Sequence, residues 1–324
     1  MSYKVLIPQD ISDTGKNFLR EHGYELLITG RTELSDLCRD VRDCNAILAR
    51  TCPYPAEVFC CAPKLKCIAR HGSGYDNVDV EAASRAGVYV CTTPDAPVIS
   101  VAEHTMLLIL ACARNLPHIN TQTHNGNWSC RNEARGYELY GKILGIIGFG
   151  SIGRTVARMA HFGFGMRVLG YSRSMPSDKA FLAYAEHTSC LDEVLEQADI
   201  LSVHLPSTPQ TKGMFNKACF SKMKKGSIFI NTSRGDIAAE ADLYEALKSR
   251  HLHMAALDVF AQEPCTLSNP LLTLDNLIAT PHNAALTYEA MDRMGLMAAE
   301  EIHRVLSGQE PRHPVNAKEF PHYF

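Results

Sequence analysis

The sequence has little excess charge of either sign and no long hydrophobic run. Its 324 residues carry 32 lysines and arginines against 35 aspartates and glutamates, a formal net charge of −3. A chain so close to neutrality has no general electrostatic attraction for nucleic acid. Its most apolar stretch, Met106–Ala113, is far shorter than the roughly 20 residues of a membrane-spanning helix. We therefore expect a protein that binds neither nucleic acid nor membrane.

Metal-binding and secretory patterns are also missing. None of the 12 cysteines forms a Cys-x-x-Cys pair, and none of the 14 histidines forms a His-Glu-x-x-His motif, two spacings typical of metal sites. The N-terminus has no apolar core of a secretory signal, and most cysteines, such as Cys91 and Cys112, lie in apolar segments. These features predict reduced, mostly buried thiols, no metal and a cytoplasmic location.

Short apolar runs alternate with helical patterns along nearly the whole chain. The runs Tyr3–Pro8, Ala46–Leu48 and Ile143–Ile147 are typical of buried strands, and amphipathic segments separate them. Such alternation indicates an α/β protein in which helices cover both faces of a parallel sheet. The fold class expected is therefore α/β, with doubly wound parallel sheets.

Two long helical patterns suggest a division into two domains. A helix predicted at Val98–Arg114 connects to a second unit, after which Asn120–Tyr140 is interpreted as an irregular stretch. The final helical pattern, Thr287–Leu306, is placed to return to the first domain and make it discontinuous. We expect one domain over residues 1–98 and 287–324 and a second over 99–286.

The second domain begins with a glycine-rich turn. The strand pattern Ile143–Ile147 runs into Gly148-Phe149-Gly150-Ser151-Ile152-Gly153, and a helical pattern, Arg154–Phe162, follows and is expected to end at Gly163. In a strand–turn–helix of this kind, Gly148 allows the tight turn, Gly150 lets backbone N–H groups approach a pyrophosphate, and Gly153 lets helix and strand pack closely. The segment predicts a dinucleotide site at a helix N-terminus.

The residues after the next strand should contact the adenosine ribose of that dinucleotide. An acidic residue there favours NAD, and a neutral residue beside an arginine favours the 2′-phosphate of NADP. This chain has Ser172, Arg173 and Ser174 at that point, and all three can donate hydrogen bonds to a phosphate. We expect NADP(H) in preference to NAD(H); the alternative is an exposed arginine beside an NAD site.

Three polar residues follow strand patterns in the second half. Arg234 lies after the predicted strand Gly226–Thr232, Glu263 lies in a later loop, and His282 ends the predicted strand Leu277–Pro281. The carboxyl ends of strands line the ligand crevice of a doubly wound sheet. We therefore predict that the three side chains converge on a site there.

These segments together resemble the D-2-hydroxyacid dehydrogenases, the family of phosphoglycerate dehydrogenase and glyoxylate/hydroxypyruvate reductase. The resemblance extends over nearly the whole chain and implies a flavodoxin-like substrate domain with an inserted Rossmann nucleotide-binding domain. Its motifs are His71–Asp79, Val101–His104, Gly136–Lys142, the glycine turn, Val203–Thr211, Met223–Gly226, Asn231–Gly235, Ala256–Phe260, Glu263-Pro264 and Thr280–His282.

The resemblance also implies roles for individual residues in hydride transfer between NAD(P)H and a small 2-keto acid. His282 would be the acid/base, Glu263 its orienting partner, and Arg234 the group that holds the substrate carboxylate. Further substrate contacts would come from Arg50, Ser73 and Gly74. Cofactor contacts would come from Gly148, Gly150, Ser151, Ile152, Gly153, Ser172, Arg173, Ser174, His204, Pro206, Thr232, Ser233, Asp258 and His282.

The motifs leave more than one substrate open. We expect a reductase of the glyoxylate/hydroxypyruvate type. One alternative is a short phosphoglycerate dehydrogenase without a regulatory domain, since Arg50 can bind a second anionic group and the chain ends soon after its last helix. Phosphite dehydrogenase is a third possibility, and a dinucleotide-sensing corepressor is an alternative from another class. The family resemblance further implies a homodimer formed through the nucleotide-binding domains.

Overall fold

The computed structural model describes residues 3–173 and 179–317. The chain divides into two compact units, one made of Met1–Pro97 and Ala285–Phe324 and the other of Val98–Ala284. Strands in the described residues are β1 (Lys4–Ile7), β2 (Glu25–Ile28), β3 (Ala46–Ala49), β4 (Cys67–Arg70), β5 (Tyr89–Cys91), β6 (Ile143–Ile147), β7 (Arg167–Tyr171), β8 (Glu186–Thr188), β9 (Ile200–Val203), β10 (Ile228–Asn231), β11 (Met254–Leu257) and β12 (Leu277–Ala279).

Helices separate most of these strands. They are α1 (Asp13–Glu21), α2 (Leu34–Asp40), α3 (Ala56–Cys60), α4 (Val80–Arg85), α5 (Val98–Ala113), α6 (Leu116–His124), α7 (Cys130–Glu133), α8 (Ser151–Phe164), α9 (Leu191–Gln197), α10 (Lys217–Lys222), α11 (Glu240–Lys248) and α12 (Tyr288–Leu306). Short 3-10 helices lie at Ala180–Ala183, Gly235–Ile237 and Pro270–Thr273.

The first unit is a five-stranded parallel sheet in the order β2-β1-β3-β4-β5. This is the flavodoxin-like order of a doubly wound sheet. Every residue of the central strand β3 is buried, as expected of a strand that helices cover on both faces. The chain order reverses between β1 and β3, and the carboxyl ends of the strands at such a switch point form the edge at which these sheets bind ligands.

The C-terminal helix α12 completes this first unit. Its apolar face, which includes Ala298 and Ile302, belongs to the same buried cluster as Val5 and Ile7 of β1. It also packs closely against α1. A Cβ added at Gly15 of α1 would lie only 2.5 Å from a backbone oxygen of α12. The last helix therefore packs with the N-terminal strands, although the whole second unit separates them in sequence.

The second unit is a seven-stranded parallel sheet in the order β12-β11-β10-β9-β6-β7-β8. The order reverses between β6 and β9, which are hydrogen-bonded neighbours. Such a switch point opens a crevice at the carboxyl ends of the strands. Two parallel-sheet α/β units confirm the fold class that the sequence predicts.

Two local predictions are wrong. The segment Asn120–Tyr140 is not irregular throughout, because it includes the second half of α6 and all of α7. Helix α6 buries no residue, so no apolar periodicity marks it. Helix α8 does not end at Gly163 but continues to Phe164, and Gly165, with φ +64°, forms its C-cap. Glycine is favoured at that left-handed position because it has no Cβ.

The length and apolarity of the helices bear on whether any of them could cross a membrane. Within residues 3–173 and 179–317, no individual helix has the length and apolarity that a bilayer crossing requires. Helices α5 and α6 meet the criterion only as a joined pair, and they are bent by 64° relative to each other.

Candidate active site

The glycine turn after β6 is tightly packed at its first and third glycines. Gly148 has φ +96°, and a Cβ there would lie 2.4 Å from the carbonyl oxygen of His204. A Cβ at Gly153 would lie 2.3 Å from the carbonyl oxygen of Gly148. Any side chain at either position would collide with backbone, so the turn and the start of α8 depend on both glycines.

The second glycine faces open space. A Cβ at Gly150 would meet no atom within 4 Å, so packing within the protein does not explain its lack of a side chain. Gly150 is the N-cap of α8, whose first residues are Ser151 and Ile152. Their backbone N–H groups have no partner within the helix, and the helix dipole makes this end positive. The turn fits a pyrophosphate that approaches the backbone closely.

Ser172 lies beside this turn at the carboxyl end of β7. The Gly148 N–H donates to the carbonyl oxygen of Tyr171 at 3.0 Å. This bond holds Ser172, the residue that follows Tyr171, beside the turn. The Ser172 hydroxyl is 2.8 Å from Nε2 of His187, and Arg173 is exposed. Ser174 lies outside the described residues.

His187 was not identified from the sequence. It lies in β8, the edge strand, and pairs in register with Gly170 of β7. No local motif marks it, because only the pairing of the two strands brings its ring to Ser172. The predicted ribose-contacting position therefore carries a histidine as well as a serine and an arginine.

His204 and Pro206 follow β9 at the same edge of the sheet. The Nε2 atom of His204 is 2.9 Å from the Ser202 hydroxyl, and burial lowers the pKa of this histidine to about 4. Its ring is therefore neutral near pH 7. The carbonyl oxygen of Pro206 accepts a 2.7 Å hydrogen bond from the Thr211 hydroxyl, which holds the loop that follows.

The loop after β10 positions Arg234. The buried Asn231 donates from Nδ2 to the carbonyl oxygen of Arg234 at 2.8 Å, and its Oδ1 accepts from the Ser233 N–H at 3.0 Å. Arg234 donates to the Ser233 carbonyl oxygen at 2.7 Å. The Thr232 hydroxyl is 3.0 Å from that of Thr105 on α5. The guanidinium therefore projects from a loop whose backbone conformation is held by these hydrogen bonds.

Gly235 brings this loop against the segment that carries Glu263. A Cβ at Gly235 would lie 1.9 Å from the backbone carbonyl carbon of Phe260. The Phe260 N–H donates to Oε1 of Glu263 at 2.9 Å. The absence of a side chain at Gly235 therefore allows the loops of Arg234 and Glu263 to pack directly against each other.

Gly235→Ala is expected to destabilise the fold by about 2–3 kcal/mol, because backbone must move to make room for the methyl group. Chemical denaturation monitored by circular dichroism measures the change in the free energy of unfolding. Gly163→Ala is the matched control. A Cβ there meets nothing within 4 Å, and alanine in a helix is expected to stabilise by about 0.5–1 kcal/mol. Equal effects of the two substitutions would contradict this account of Gly235.

His282 and Glu263 form a close pair at the carboxyl ends of β11 and β12. Nδ1 of His282 lies 2.6 Å from Oε2 of Glu263. Partial burial acts to raise the pKa of Glu263, but hydrogen bonds from His282 and the Phe260 N–H outweigh it, and the pKa lies below its usual range. The charge of Arg234 acts in the same direction. An ionised Glu263 only accepts hydrogen bonds, so Nδ1 carries a hydrogen and Nε2 is the nitrogen that can exchange a proton with a ligand.

Asp258 holds the loop on which His282 lies. Its buried carboxylate accepts from the backbone N–H groups of Asn283 at 3.0 Å and Ala284 at 2.9 Å. It also accepts from the Thr280 hydroxyl at 2.6 Å. The His282 N–H donates to the Asp258 carbonyl oxygen at 2.7 Å. These bonds maintain His282 at φ +53°, a conformation that costs energy for a residue with a Cβ.

His104 on α5 is a second residue that the sequence did not identify. Its Nε2 is 3.2 Å from the Thr280 hydroxyl and 3.7 Å from Oδ1 of Asp258. It belongs to a motif of the resemblance, but nothing in its sequence neighbourhood connects it with a loop more than 150 residues away. The network of Asp258 therefore extends from the strand ends to α5.

The first unit carries the other predicted substrate contacts. Arg50 donates to the carbonyl oxygen of Asp10 at 2.7 Å. Asn77 links the ends of β3 and β4, since its Nδ2 donates to the Arg50 carbonyl oxygen at 3.0 Å and its Oδ1 accepts from Arg70 at 3.2 Å. Ser73 is exposed and Gly74 partly exposed in the loop after β4. These residues form a positively charged edge of the first sheet.

Acid is expected to destabilise the protein through His71. Burial, followed by the charge of Arg50, lowers the pKa of His71 to about 4. The unfolded chain therefore binds a proton near pH 6.5 that the folded chain takes up only near pH 4, so stability falls as pH decreases through that window. The loss amounts to at most about 3 kcal/mol. His71→Gln should reduce the pH dependence of the unfolding free energy between those values; an unchanged slope would contradict the assignment.

Within the second unit, the structure brings most predicted residues to one edge of one sheet. The glycine turn, Ser172, Arg234, Asp258 and the Glu263–His282 pair all follow the carboxyl ends of strands. Arg50, Ser73 and Gly74 lie at the corresponding edge of the first sheet. A histidine–glutamate pair, a guanidinium and a glycine turn on one edge suit a reaction that joins proton transfer to chemistry on a dinucleotide. Among the described residues, no cluster of histidine, cysteine, aspartate and glutamate forms a metal site.

Several known proteins are similar to this chain in sequence and in fold. A family model described as the NAD binding domain of D-isomer specific 2-hydroxyacid dehydrogenases matches residues 106–284. D-3-phosphoglycerate dehydrogenase of Methanocaldococcus jannaschii is 40% identical over 319 residues, which are 98% of this chain and 60% of that protein. Glyoxylate reductase of Korarchaeum cryptofilum is 36% identical over 323 residues, 98% of this chain and 96% of that protein.

A solved structure of similar architecture contains ligands. It is the NADPH-dependent glyoxylate/hydroxypyruvate reductase of Sinorhizobium meliloti in complex with NADP and malonate, with a TM-score of 0.86, 27% identity, and coverage of 99% of this chain and 98% of that one. This chain spans only about 60% of the phosphoglycerate dehydrogenase named above. The family model and the relatives agree with the motifs and the fold, and the chain belongs to the D-isomer specific 2-hydroxyacid dehydrogenase family.

Proposed function

We propose that this protein reduces a small 2-keto acid to the D-2-hydroxy acid with NAD(P)H. The observation that carries the proposal is the 2.6 Å contact between His282 and Glu263 on the sheet edge that also carries the glycine turn and Arg234. Reduction of a ketone requires one hydride and one proton. The nicotinamide cofactor, when bound, supplies the hydride, and the remaining requirements fall to residues of this chain.

His282 supplies the proton. Its Nε2–H, in the imidazolium form, donates to the keto oxygen, and in the reverse direction neutral Nε2 accepts the hydroxyl proton. Glu263 keeps Nδ1 protonated through its hydrogen bond and stabilises the positive charge of the ring. Asp258 is a positioning residue for His282 through the bonds to the loop, and its carboxylate also suits a hydrogen bond from the nicotinamide carboxamide.

Arg234 binds the substrate carboxylate. A guanidinium is planar and permanently charged, so it can donate two parallel hydrogen bonds to a carboxylate. The same charge stabilises the negative charge that develops on the keto oxygen. The backbone N–H groups of Ser73 and Gly74, with Arg50, suit the other end of the substrate.

For the cofactor, we propose a preference for NADP(H) over NAD(H). No carboxylate side chain directly follows β7; the positions are Ser172 and Arg173, and His187 contacts Ser172. A hydroxyl, a guanidinium and an imidazole suit a 2′-phosphate better than a ribose diol.

Ser172→Asp is expected to weaken NADPH binding by about tenfold relative to NADH, because a carboxylate repels the 2′-phosphate and accepts hydrogen bonds from the ribose hydroxyls. Fluorescence titration with both cofactors measures the two dissociation constants. Ser172→Ala removes the hydroxyl without adding charge and is the matched control. If the ratio of the two constants is the same in Ser172→Asp and wild type, residue 172 does not contact the ribose.

The rate of NAD(P)H oxidation with a panel of acids tests the proposed function. We expect glyoxylate and hydroxypyruvate to be reduced, since related proteins carry both names. Turnover mainly of phosphohydroxypyruvate would favour the phosphoglycerate dehydrogenase alternative, with Arg50 as a phosphate contact. Cofactor binding with no turnover of any keto acid would refute the reductase and favour a dinucleotide-sensing binding protein.

We further propose a homodimer in the cytoplasm. The segment around α6 and α7 exposes large apolar side chains, with Trp128 71% and Tyr140 81% exposed, as in surfaces that a second subunit covers. Twelve free cysteines suit a reducing compartment. Sedimentation equilibrium at micromolar concentration should give twice the mass of the chain, and a monomer would contradict the dimer.

A further inference from the structure

A cavity lies at the edge of the seven-stranded sheet opposite the candidate active site. Its volume is about 210 Å³. Three of its residues, Lys142, Asp199 and Ser227, directly precede the neighbouring strands β6, β9 and β10. The cavity is therefore at the amino ends of these strands, whereas the candidate active site is at their carboxyl ends.

The charged groups of this cavity are mostly basic. Lys142, Lys224 and Lys225 line it together with one acidic residue, Asp199. Lys224 contacts Asp199 at 3.0 Å, and Lys142 lies 5.4 Å above the ring of Tyr137. In the described part of the chain no ion pair involves Lys225. Three lysines against one aspartate leave a net positive charge around the cavity.

Ser227 lines this cavity and carries a buried hydroxyl with no hydrogen-bond partner among the described residues. The residue is only 3% exposed, and its Oγ has no hydrogen-bond partner among residues 3–173 and 179–317. Its backbone groups are both hydrogen-bonded: its N–H donates to the Lys224 carbonyl oxygen, and its carbonyl oxygen accepts from the His253 N–H. A buried hydroxyl without a partner is costly and rare, which indicates that something else fills its bonding capacity.

We propose that this cavity binds a small oxyanion, a phosphate group or a molecule that carries one. The Ser227 hydroxyl would donate to an anion oxygen, and Lys225 and Lys142 would neutralise its charge. Asp199 does not oppose such a ligand strongly, because Lys224 pairs with one of its oxygens and the Ile143 N–H donates to the other at 2.8 Å. Apolar side chains of Leu139, Ile200 and Ile228 complete the lining and suit a small organic body. This site is independent of the proposed reductase activity.

The line width of the ³¹P resonance of inorganic phosphate, titrated against the full-length chain at constant ionic strength, tests the proposal. Saturating NADP⁺ is present so that phosphate does not enter the glycine turn, and its phosphorus signals are separate. Wild type should broaden the phosphate signal in a saturable manner. Lys225→Gln and Ser227→Ala should each raise the dissociation constant for phosphate about fivefold or more, as loss of a charge-assisted hydrogen bond does.

Lys248→Gln is the matched control. Lys248 is an exposed lysine that lies 5.2 Å above the Tyr244 ring, much as Lys142 lies above Tyr137, but it is not in the cavity. It should leave phosphate binding within about twofold of wild type. Lack of saturable broadening in wild type, or equal affinity in the wild type, Lys225→Gln and Ser227→Ala proteins, would overturn the proposal. Unchanged NADPH dissociation constants in these variants would separate this site from the cofactor site.

Discussion

Replacing His282 by alanine is expected to lower kcat for keto-acid reduction by about a thousandfold, because a positioned general acid contributes about 10²–10⁴ in rate. Nδ1 of His282 is held by Glu263 at 2.6 Å, so removal of the ring leaves the carboxylate without its partner and the keto oxygen without a proton donor. Steady-state rates of NADPH consumption at saturating substrate measure the effect.

Two comparisons make the test specific to proton transfer. The dissociation constant for NADPH should remain within about twofold of wild type, since the glycine turn is elsewhere on the sheet edge. Glu263→Gln should lower kcat less than His282→Ala and should alter its pH profile, because the amide can still accept from Nδ1 but carries no charge. Near-normal turnover of His282→Ala would remove this residue from the acid/base role.

Replacing Arg234 by alanine is expected to lower kcat/KM by about a thousandfold or more. The substitution removes both the carboxylate contact and the positive charge near the developing oxyanion, and loss of such a donor alone costs about 10²–10³. Arg234→Lys should recover only part of the activity, because an ammonium is a point charge without the planar fork.

The position of the guanidinium also affects Glu263, whose pKa it helps to lower. Because the guanidinium is the proposed carboxylate contact, Arg234→Ala should also lose its preference for the substrate carboxylate: a keto acid and the corresponding amide should react with similar kcat/KM. If Arg234→Ala retained a strong preference for the acid, another cation would be the carboxylate contact. Rates with matched acid and amide substrates distinguish these cases.

Much of the fold follows from local sequence patterns. Buried parallel strands are continuous apolar runs, so segments such as Ala46–Ala49 and Ile143–Ile147 are visible without a structure. The glycine turn is equally visible, and the structure explains its pattern: Gly148 and Gly153 avoid backbone collisions, whereas Gly150 faces open space.

Other features depend on long-range contacts that no local pattern encodes. His187 meets Ser172 only because β7 pairs with β8, and His104 reaches Thr280 only because α5 packs beside the strand ends. Helix α6 buries nothing and so lacks the apolar stripe that periodicity detects. The unsatisfied hydroxyl of Ser227 becomes visible only when the burial of every neighbouring atom is known.

The configuration of the product tests the central claim most directly. Hydroxypyruvate and NADPH labelled with deuterium at C4 are incubated with the wild-type protein. The glycerate formed is separated on a chiral column, and its deuterium content is measured by mass spectrometry. We expect D-glycerate with deuterium at C2, formed about a thousandfold more slowly by His282→Ala. Formation of L-glycerate or of a racemic mixture would contradict hydride transfer to a 2-keto acid at this site. The absence of deuterated glycerate would contradict it as well if the other 2-keto acids are also unreactive.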